Sequence, residues 1–360
     1  MRTLAELARC YTCAMSETPS QAGFSMPAEW APHACCWMAW PSREERFFDI
    51  EAARHEFALA AREIARREPV RMIANPGDIQ EASRCCQERP GAEPGGVKTV
   101  PLPTDDSWAR DTAPTFVIDG HGALGGVEWR FDSYGGLHDD YAETAQMARR
   151  VSELTGARRF RAPIVLEGGA LHTDGEGTLL TTEDVVLDER RNPGLARVDA
   201  EEVLKAYLGV ERVIWLAAAL EDDATGGHVD TLACFVAPGV VVALSCEDPA
   251  DPQFEPLREN ISRLEAAETA SGRRLEVVKI RQPERRLDAD DGHRISASYI
   301  NFYIANGAVV MQGFGDPADE PARETLARLF PGREVVQLPT TELARLAATI
   351  HCMTQQQPLA

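Results

Sequence analysis

Apolar residues recur at Ile50, Ala53, Phe57, Ala60 and Ile64 among charged neighbours. That spacing marks one face of a helix and predicts an amphipathic helix over residues 50–66. Pro69 ends it, and the apolar run Val70–Ala74 predicts a short strand closed by Asn75-Pro76-Gly77. The rhythm continues with strands expected at 97–102, 114–118, 123–131, 162–166 and 178–181, and a helix near 141–154. Further on it predicts a helix at 200–208, strands at 211–217, 231–236 and 239–245, and a helix at 255–270. Strands at 275–280, 298–304 and 307–312, a helix at 321–330 and a strand at 334–338 complete it. No long linker, low-complexity tract or charge block interrupts the pattern. The chain therefore reads as one α/β domain of similar strand–helix–strand units.

The 360 residues are 44% hydrophobic, enough for a sizeable core, and carry a formal net charge of −20. Such a chain repels nucleic-acid backbones and anionic membrane surfaces, so neither partner is expected. No apolar run reaches the roughly 18–20 residues needed to span a bilayer. Met1–Gly23 lacks the apolar stretch of a secretory signal. The negative field favours approach of a cationic ligand, although a solvated acidic surface explains the same charge. Nine cysteines include the adjacent pairs Cys35–Cys36 and Cys85–Cys86 and an isolated Cys10-x-x-Cys13. With no second Cys/His pair at a matching spacing, a zinc site is not indicated. A reduced, cytoplasmic protein with free thiols is expected, without metal or cofactor.

Four segments could carry chemistry. Asp105-Asp106-Ser107-Trp108-Ala109-Arg110-Asp111 combines carboxylates with an indole, a receptor for a planar cation if it is more than a solvated loop. Leu166-Glu167-Gly168-Gly169 ends an apolar strand, where glycines admit a ligand or simply form a tight turn. Thr225-Gly226-Gly227-His228-Val229-Asp230 enters the strand expected at 231–236. An extended chain would put His228 and Asp230 on one face, as a proton-transfer pair or as a structural histidine. Ile350-His351-Cys352-Met353-Thr354-Gln355-Gln356-Gln357-Pro358 is a poor helix or strand, so a frayed tail is expected. Asp111, Glu167, His228 and Cys352 are separated by 56, 61 and 124 residues. The last interval is close to two of the others, which suggests repeated units offering side chains to a common centre.

The sequence resembles the agmatine deiminases, within the guanidino-modifying superfamily that includes bacterial peptidylarginine deiminases. Met26-Pro27-Ala28-Glu29-Trp30, Cys36-Trp37-Met38-Ala39-Trp40-Pro41 and the Asp106–Asp111, Leu166–Gly169 and Asp174–Thr178 segments carry the likeness. Arg191-Asn192-Pro193, Gly227–Asp230, Ala297–Gly307, Gly313–Asp316 and His351–Pro358 extend it. It runs from about Gly23 to the C-terminus, implying a single deiminase domain at 23–360 and an N-terminal extension at 1–22 of open order. The implied fold is a pentein-like α/β propeller, a closed ring of five ββαβ modules. The implied catalytic residues are Cys352 as nucleophile, His228 as general acid/base and Glu167 as its orienting carboxylate. Asp111 and Asp230 would grip the guanidinium, with Trp108 and Tyr134 also expected at the substrate. The implied course is a thiouronium intermediate hydrolysed to a ureido product, and a dimer is expected.

This chain departs from the usual pattern near the nucleophile. Leu346, Ala347, Ala348 and Thr349 replace a run of glycines and an Asn, and Gly226 stands where Asn is usual. Asp132-Ser133-Tyr134-Gly135-Gly136 replaces Asn-Ala-Trp-Gly-Gly. Agmatine, giving N-carbamoylputrescine and ammonia, is the leading substrate. Free arginine, an arginyl peptide or another guanidine, with hydrolysis or amidino transfer, is the alternative. A non-catalytic binding protein of the same fold is the third reading.

Overall fold

The computed structural model describes residues 17–87, 95–217, 219–284, 288, 290, 292–346 and 348–360. Most of the expected 1–22 extension, Cys10-x-x-Cys13 and Ala347 therefore lie outside the described residues. The seven described cysteines are free thiols. No described helix is long and apolar enough to cross a membrane.

The α/β expectation is met by five mixed sheets among the described residues, none closed on itself. Four share one plan, an antiparallel hairpin followed by a helix and a parallel strand. They are β4 (Thr115–Ile118), β5 (Leu124–Arg130) and β6 (Arg158–Val165), and β7 (His172–Thr173), β8 (Thr178–Thr182) and β9 (Arg212–Leu216). The next are β10 (Ala233–Ala237), β11 (Val240–Ser245) and β12 (Glu276–Arg281), then β13 (Tyr303–Ala305), β14 (Ala308–Gly313) and β15 (Glu334–Pro339). Helices Met147–Thr155, Arg197–Leu208, Phe254–Ala266 and Asp319–Leu329 make the crossovers that a parallel pair requires. The fifth sheet has the order β16 (Thr354–Pro358), β1 (His33–Ala39), β2 (Val70–Ala74) and β3 (Val97–Pro101). Its first crossover is the helix Ile50–Ala65, whose apolar stripe buries Ala53, Phe57, Ala60 and Ile64. Asp49 caps that helix by accepting from Glu51 N and Ala52 N at 3.0 and 3.1 Å.

Three sequence expectations need correction. The supposed frayed tail is the buried strand β16, paired antiparallel with β1. Gln357 is anchored on β1 through its side chain: its Oε1 accepts from Trp37 Nε1 at 3.0 Å and from Cys35 Sγ at 3.3 Å. β1 itself is buried nearly throughout, so it lacks the alternation that marks a half-buried strand. The strand expected at 298–304 shortens to Tyr303–Ala305, because Ser298 Oγ turns away to donate to Thr231 O at 2.6 Å. The strand expected from 231 begins at Ala233, because Val229–Thr231 forms a turn of 3-10 helix. The helix Ile79–Cys86 was not anticipated.

Replacing Gln357 by Leu keeps the volume of the β16 side chain but strands the Trp37 indole N–H. Urea unfolding is expected to show a loss of about 1–3 kcal/mol with an unchanged slope.

Candidate active site

A short turn precedes the first strand of every sheet, and each turn carries polar side chains. Asp111 lies in Ala109–Thr112 before β4, Glu167 heads Gly168–Ala170 before β7, and His228 and Asp230 border Val229–Thr231 before β10. Asn301 and Cys352 stand just before β13 and β16. Successive turns are joined by polar contacts. Gly169 N donates to Asp111 Oδ1 at 2.9 Å, and His228 Nε2 lies 3.3 Å from Glu167 Oε2. Asn301 Nδ2 donates to Asp230 O at 3.4 Å, and Cys352 N donates to Asn301 Oδ1 at 3.3 Å. Arg110 N donates to Cys352 O at 3.1 Å, which returns the series to the first turn.

The crowding of these turns needs glycine at the two positions where the second meets the first. A methyl group at Gly168 would lie 2.1 Å from Arg110 O. One at Gly169 would lie 2.5 Å from His228 Nδ1, 2.9 Å from Asp111 Oδ1 and 3.0 Å from Asp230 Oδ2. Gly169 thus marks the spot on which three functional side chains converge. Cys352 Sγ adjoins it, 3.7 Å from Asp230 Oδ2 and 3.2 Å from Asn301 Nδ2. All five of Asp111, Glu167, His228, Asp230 and Cys352 are buried.

Two rows of alternating charge run through the site. In the first, Arg191 Nε donates to Glu167 Oε1 at 3.0 Å, Glu167 meets His228, and His228 Nδ1 lies 3.7 Å from Asp111 Oδ1. In the second, Asp230 Oδ2 is 2.8 Å from His351 Nδ1, and His351 Nε2 is 3.0 Å from Glu29 Oε1. Glu29 Oε1 also accepts from Arg110 Nη1 at 3.0 Å. Burial opposes ionisation of Glu167, Asp230 and Glu29, yet their cationic neighbours hold all three below the usual carboxylate range. Asp111 is pushed by burial, and by Asp230 and Glu167, up to about 6. Burial works against a charged His228, but Asp111 and Glu167 raise it to about 9. Burial, with Asp230 and Asp111 beside it, drives the Cys352 thiol well above its ordinary range.

Glu29, His172 and His351 converge closely enough to suggest a metal-ligand set. The hydrogen bonding decides otherwise. His172 Nδ1 accepts from Phe235 N at 3.2 Å, so its proton sits on Nε2, the nitrogen facing Glu29 at 3.6 Å. Both nitrogens of His351 lie within hydrogen-bond distance of carboxylate oxygens, so donating to both leaves no lone pair for a metal. Arg110 already supplies the positive charge on Glu29.

Residues 25–358 match the family described as Porphyromonas-type peptidyl-arginine deiminase. The chain belongs to that deiminase family. It is 40% identical over 366 residues to the agmatine deiminase of Stutzerimonas stutzeri, covering 96% of this chain and 98% of that one. The agmatine deiminase of Pseudomonas aeruginosa strain UCBPP-PA14 is 40% identical over 365 residues, covering 95% and 98%. The structure of the Enterococcus faecalis agmatine deiminase, described as catalysing its reaction, superposes with a TM-score of 0.89 at 33% identity, covering 96% and 99%.

The structure of this deiminase-family chain brings five of the seven expected site residues around Gly169. Tyr134, the sixth, reaches them through its hydroxyl, which donates to Asp111 Oδ2 at 3.2 Å. It does so from a left-handed turn in which Ser133 and Tyr134 have φ of 61° and 59°. That conformation costs about 1–2 kcal/mol per non-glycine residue. Asp132 helps hold it by accepting from Gly135 N at 2.8 Å. Trp108 is partly buried, its ring packed against Phe47 and Phe57 at 6.2 and 5.9 Å, and its carbonyl accepts from Asp111 N at 3.2 Å. His228 and Asp230 reach the centre from a turn, not from one face of a strand. Sequence reasoning passed over Glu29, Arg110, Arg191, Asn301 and His351, although each stands in a segment that carried the resemblance. Asn301 had a further signal, since it falls inside the double interval between His228 and Cys352.

Gly169→Ala is expected to leave the circular-dichroism spectrum intact while lowering turnover about 100-fold or more, because the methyl group displaces His228 and both aspartates.

Proposed function

We propose that the chain hydrolyses agmatine to N-carbamoylputrescine and ammonia, with Cys352 as nucleophile. One observation carries this reading. Around Gly169, the buried atoms His228 Nδ1 and Asp230 Oδ1 have no hydrogen-bond partner among the described residues, and Cys352 Sγ lies 3.7 Å from the other oxygen of Asp230. A guanidinium offers both what they lack: N–H groups for the carboxylate and a departing nitrogen for the imidazolium. The relatives' names supply agmatine as the substrate. The successive contacts of the five entry turns support a closed five-module propeller, formed by a single domain at 23–360. A cytoplasmic dimer is part of the same proposal.

In the substrate-free site, Glu167, Asp111, Asp230 and Glu29 face Arg191, His228, His351 and Arg110. Docking a guanidinium adds one positive charge, which lowers the thiol's pKa and releases its proton. Asp111 and Asp230 hold the guanidinium nitrogens, and Trp108 and Tyr134 lie along the substrate's chain. The thiolate attacks the guanidinium carbon while Asn301 Nδ2 orients the sulfur. His228, oriented by Glu167, then donates its proton to one nitrogen, and the carbon–nitrogen bond breaks to release ammonia. The neutral His228 next takes a proton from water, and hydroxide adds to the thiouronium carbon. Collapse breaks the carbon–sulfur bond and leaves the ureido product, the hydroxyl proton returning to the thiolate; the proton first lost from the thiol converts ammonia to ammonium.

A different guanidine is the second reading, favoured by the Tyr134 hydroxyl on Asp111 and by Thr349 at the position usually occupied by Asn. Thr349 Oγ1 donates to Asn301 Oδ1 at 2.9 Å, so the replacement is tied into the nucleophile's support. Ammonia release from agmatine, arginine, an arginyl peptide and other guanidines, with and without an amine acceptor, separates the readings.

Cys352→Ser is expected to lower ammonia release by about a thousandfold or more, whereas undiminished turnover would sink the proposal. For wild type, kcat/KM is expected to fall below about pH 6 as Asp111 takes up its proton. It falls again above about pH 9, as His228 loses the proton it must donate.

A further inference from the structure

The two carboxylates of the grip are held differently. Asp111 accepts from a backbone N–H and a tyrosine hydroxyl, both neutral donors. Asp230 Oδ2 accepts from His351 Nδ1 at 2.8 Å, and its Oδ1 has no hydrogen-bond partner among the described residues. On the opposite edge of the ring, His351 Nε2 lies 3.0 and 3.1 Å from the two oxygens of Glu29. Its backbone is fixed as well: His351 N donates to Asn301 O at 3.0 Å, and Arg110 Nε donates to His351 O at 3.5 Å. Each ring nitrogen thus faces a carboxylate oxygen, and Glu29 and Asp230 raise the ring's pKa against burial and Arg110, which favours the doubly protonated imidazolium. It is the one cation hydrogen-bonded to Asp230 among the described residues.

We propose that His351, clamped between Glu29 and Asp230, is a positioning residue that keeps Asp230 ionised and its free oxygen aimed at the guanidinium. This rests on the deiminase reading and deepens it. Asp230 is faced by the cations His351, His228 and Arg110, by Asp111 and Asp223, and by the thiols of Cys352 and Cys234. His351 is faced by Arg110, Glu29 and Asp230, with the His172 ring stacked 6.3 Å away. An amide in place of the imidazolium keeps a donor but removes the charge. Asp230, buried beside Asp111 and Asp223, then takes up a proton at higher pH and releases the substrate.

The test compares His351→Gln and Glu29→Gln with wild type, measuring kcat and KM from pH 5.5 to 9 on agmatine. Agmatine affinity is measured over the same range in the Cys352→Ser background. His351→Gln is expected to move the acid limb of kcat/KM up by at least one pH unit. It raises KM tenfold or more at pH 6.5, and the defect shrinks towards pH 8.5. Glu29→Gln is expected to act in the same direction and less strongly. A loss equal at every pH, as a packing role would give, overturns the proposal, and so does an unchanged profile. Nitrogen NMR of sequentially assigned histidines in wild type is independent of how the variants fold. It is expected to show His351 as an imidazolium at pH 7.5, and a neutral ring overturns the proposal. Wild type inactive on every guanidine defeats the deiminase reading itself. Active wild type with a pH-independent His351→Gln defect defeats only this inference.

Discussion

Burying Glu29, Asp111, Glu167 and Asp230 together is possible only because four cations are buried with them. An unpaired carboxylate in such surroundings would take up a proton instead of remaining charged. The two alternating rows solve that problem and create an asymmetry. Three carboxylates are held in the charged form, while Asp111, flanked by neutral donors and a shared histidine, remains close to its titration point. The same balance keeps the thiol protonated until another cation arrives. In the proposed reaction this ties reactivity to occupancy, because the thiol ionises when a further positive charge is present beside it.

The fold provides the positions for this arrangement by repeating one device. A tight turn enters the first strand of each sheet, and its side chains extend away from the strand toward the neighbouring turn. Glycine at 168 and 169 lets two turns approach to a distance that any side chain would forbid. The strain in Ser133–Gly136 is spent in the same region, where it holds the Tyr134 hydroxyl over Asp111.

Much of the fold was legible because the crossover helices have strong periodicity and the short inner strands are apolar runs bounded by turn residues. The stripe of Ile50–Ala65 and the strand Val70–Ala74 emerged with nearly their observed limits. The sheet joining β1 to β16 was hidden: β1 is buried on both faces, and β16 is a run of glutamines, of which Gln357 is held by Trp37 and Cys35 of β1. For the site, residue chemistry and resemblance together singled out Cys352, His228, Glu167, Asp111 and Asp230, which the fold brings around Gly169. The supporting ions were not visible, because Glu29, Arg110, Arg191 and His351 acquire meaning only from pairings across distant turns. Asn301 was masked by the expected strand at 298–304, in which it would have been an ordinary polar position.

The pairing of β16 with β1 joins Pro358 to His33. Contacts across so much intervening chain close slowly, since the loop entropy must be met before they give any return. On a ribosome the other four sheets emerge complete before residues 354–358 appear, and domains fold as their segments become available. Cys352 is therefore seated last, together with His351, which completes the row of charge through Asp230 and Glu29. In the proposed reaction the nucleophile and the imidazolium beside it come into place together, when the fifth sheet closes.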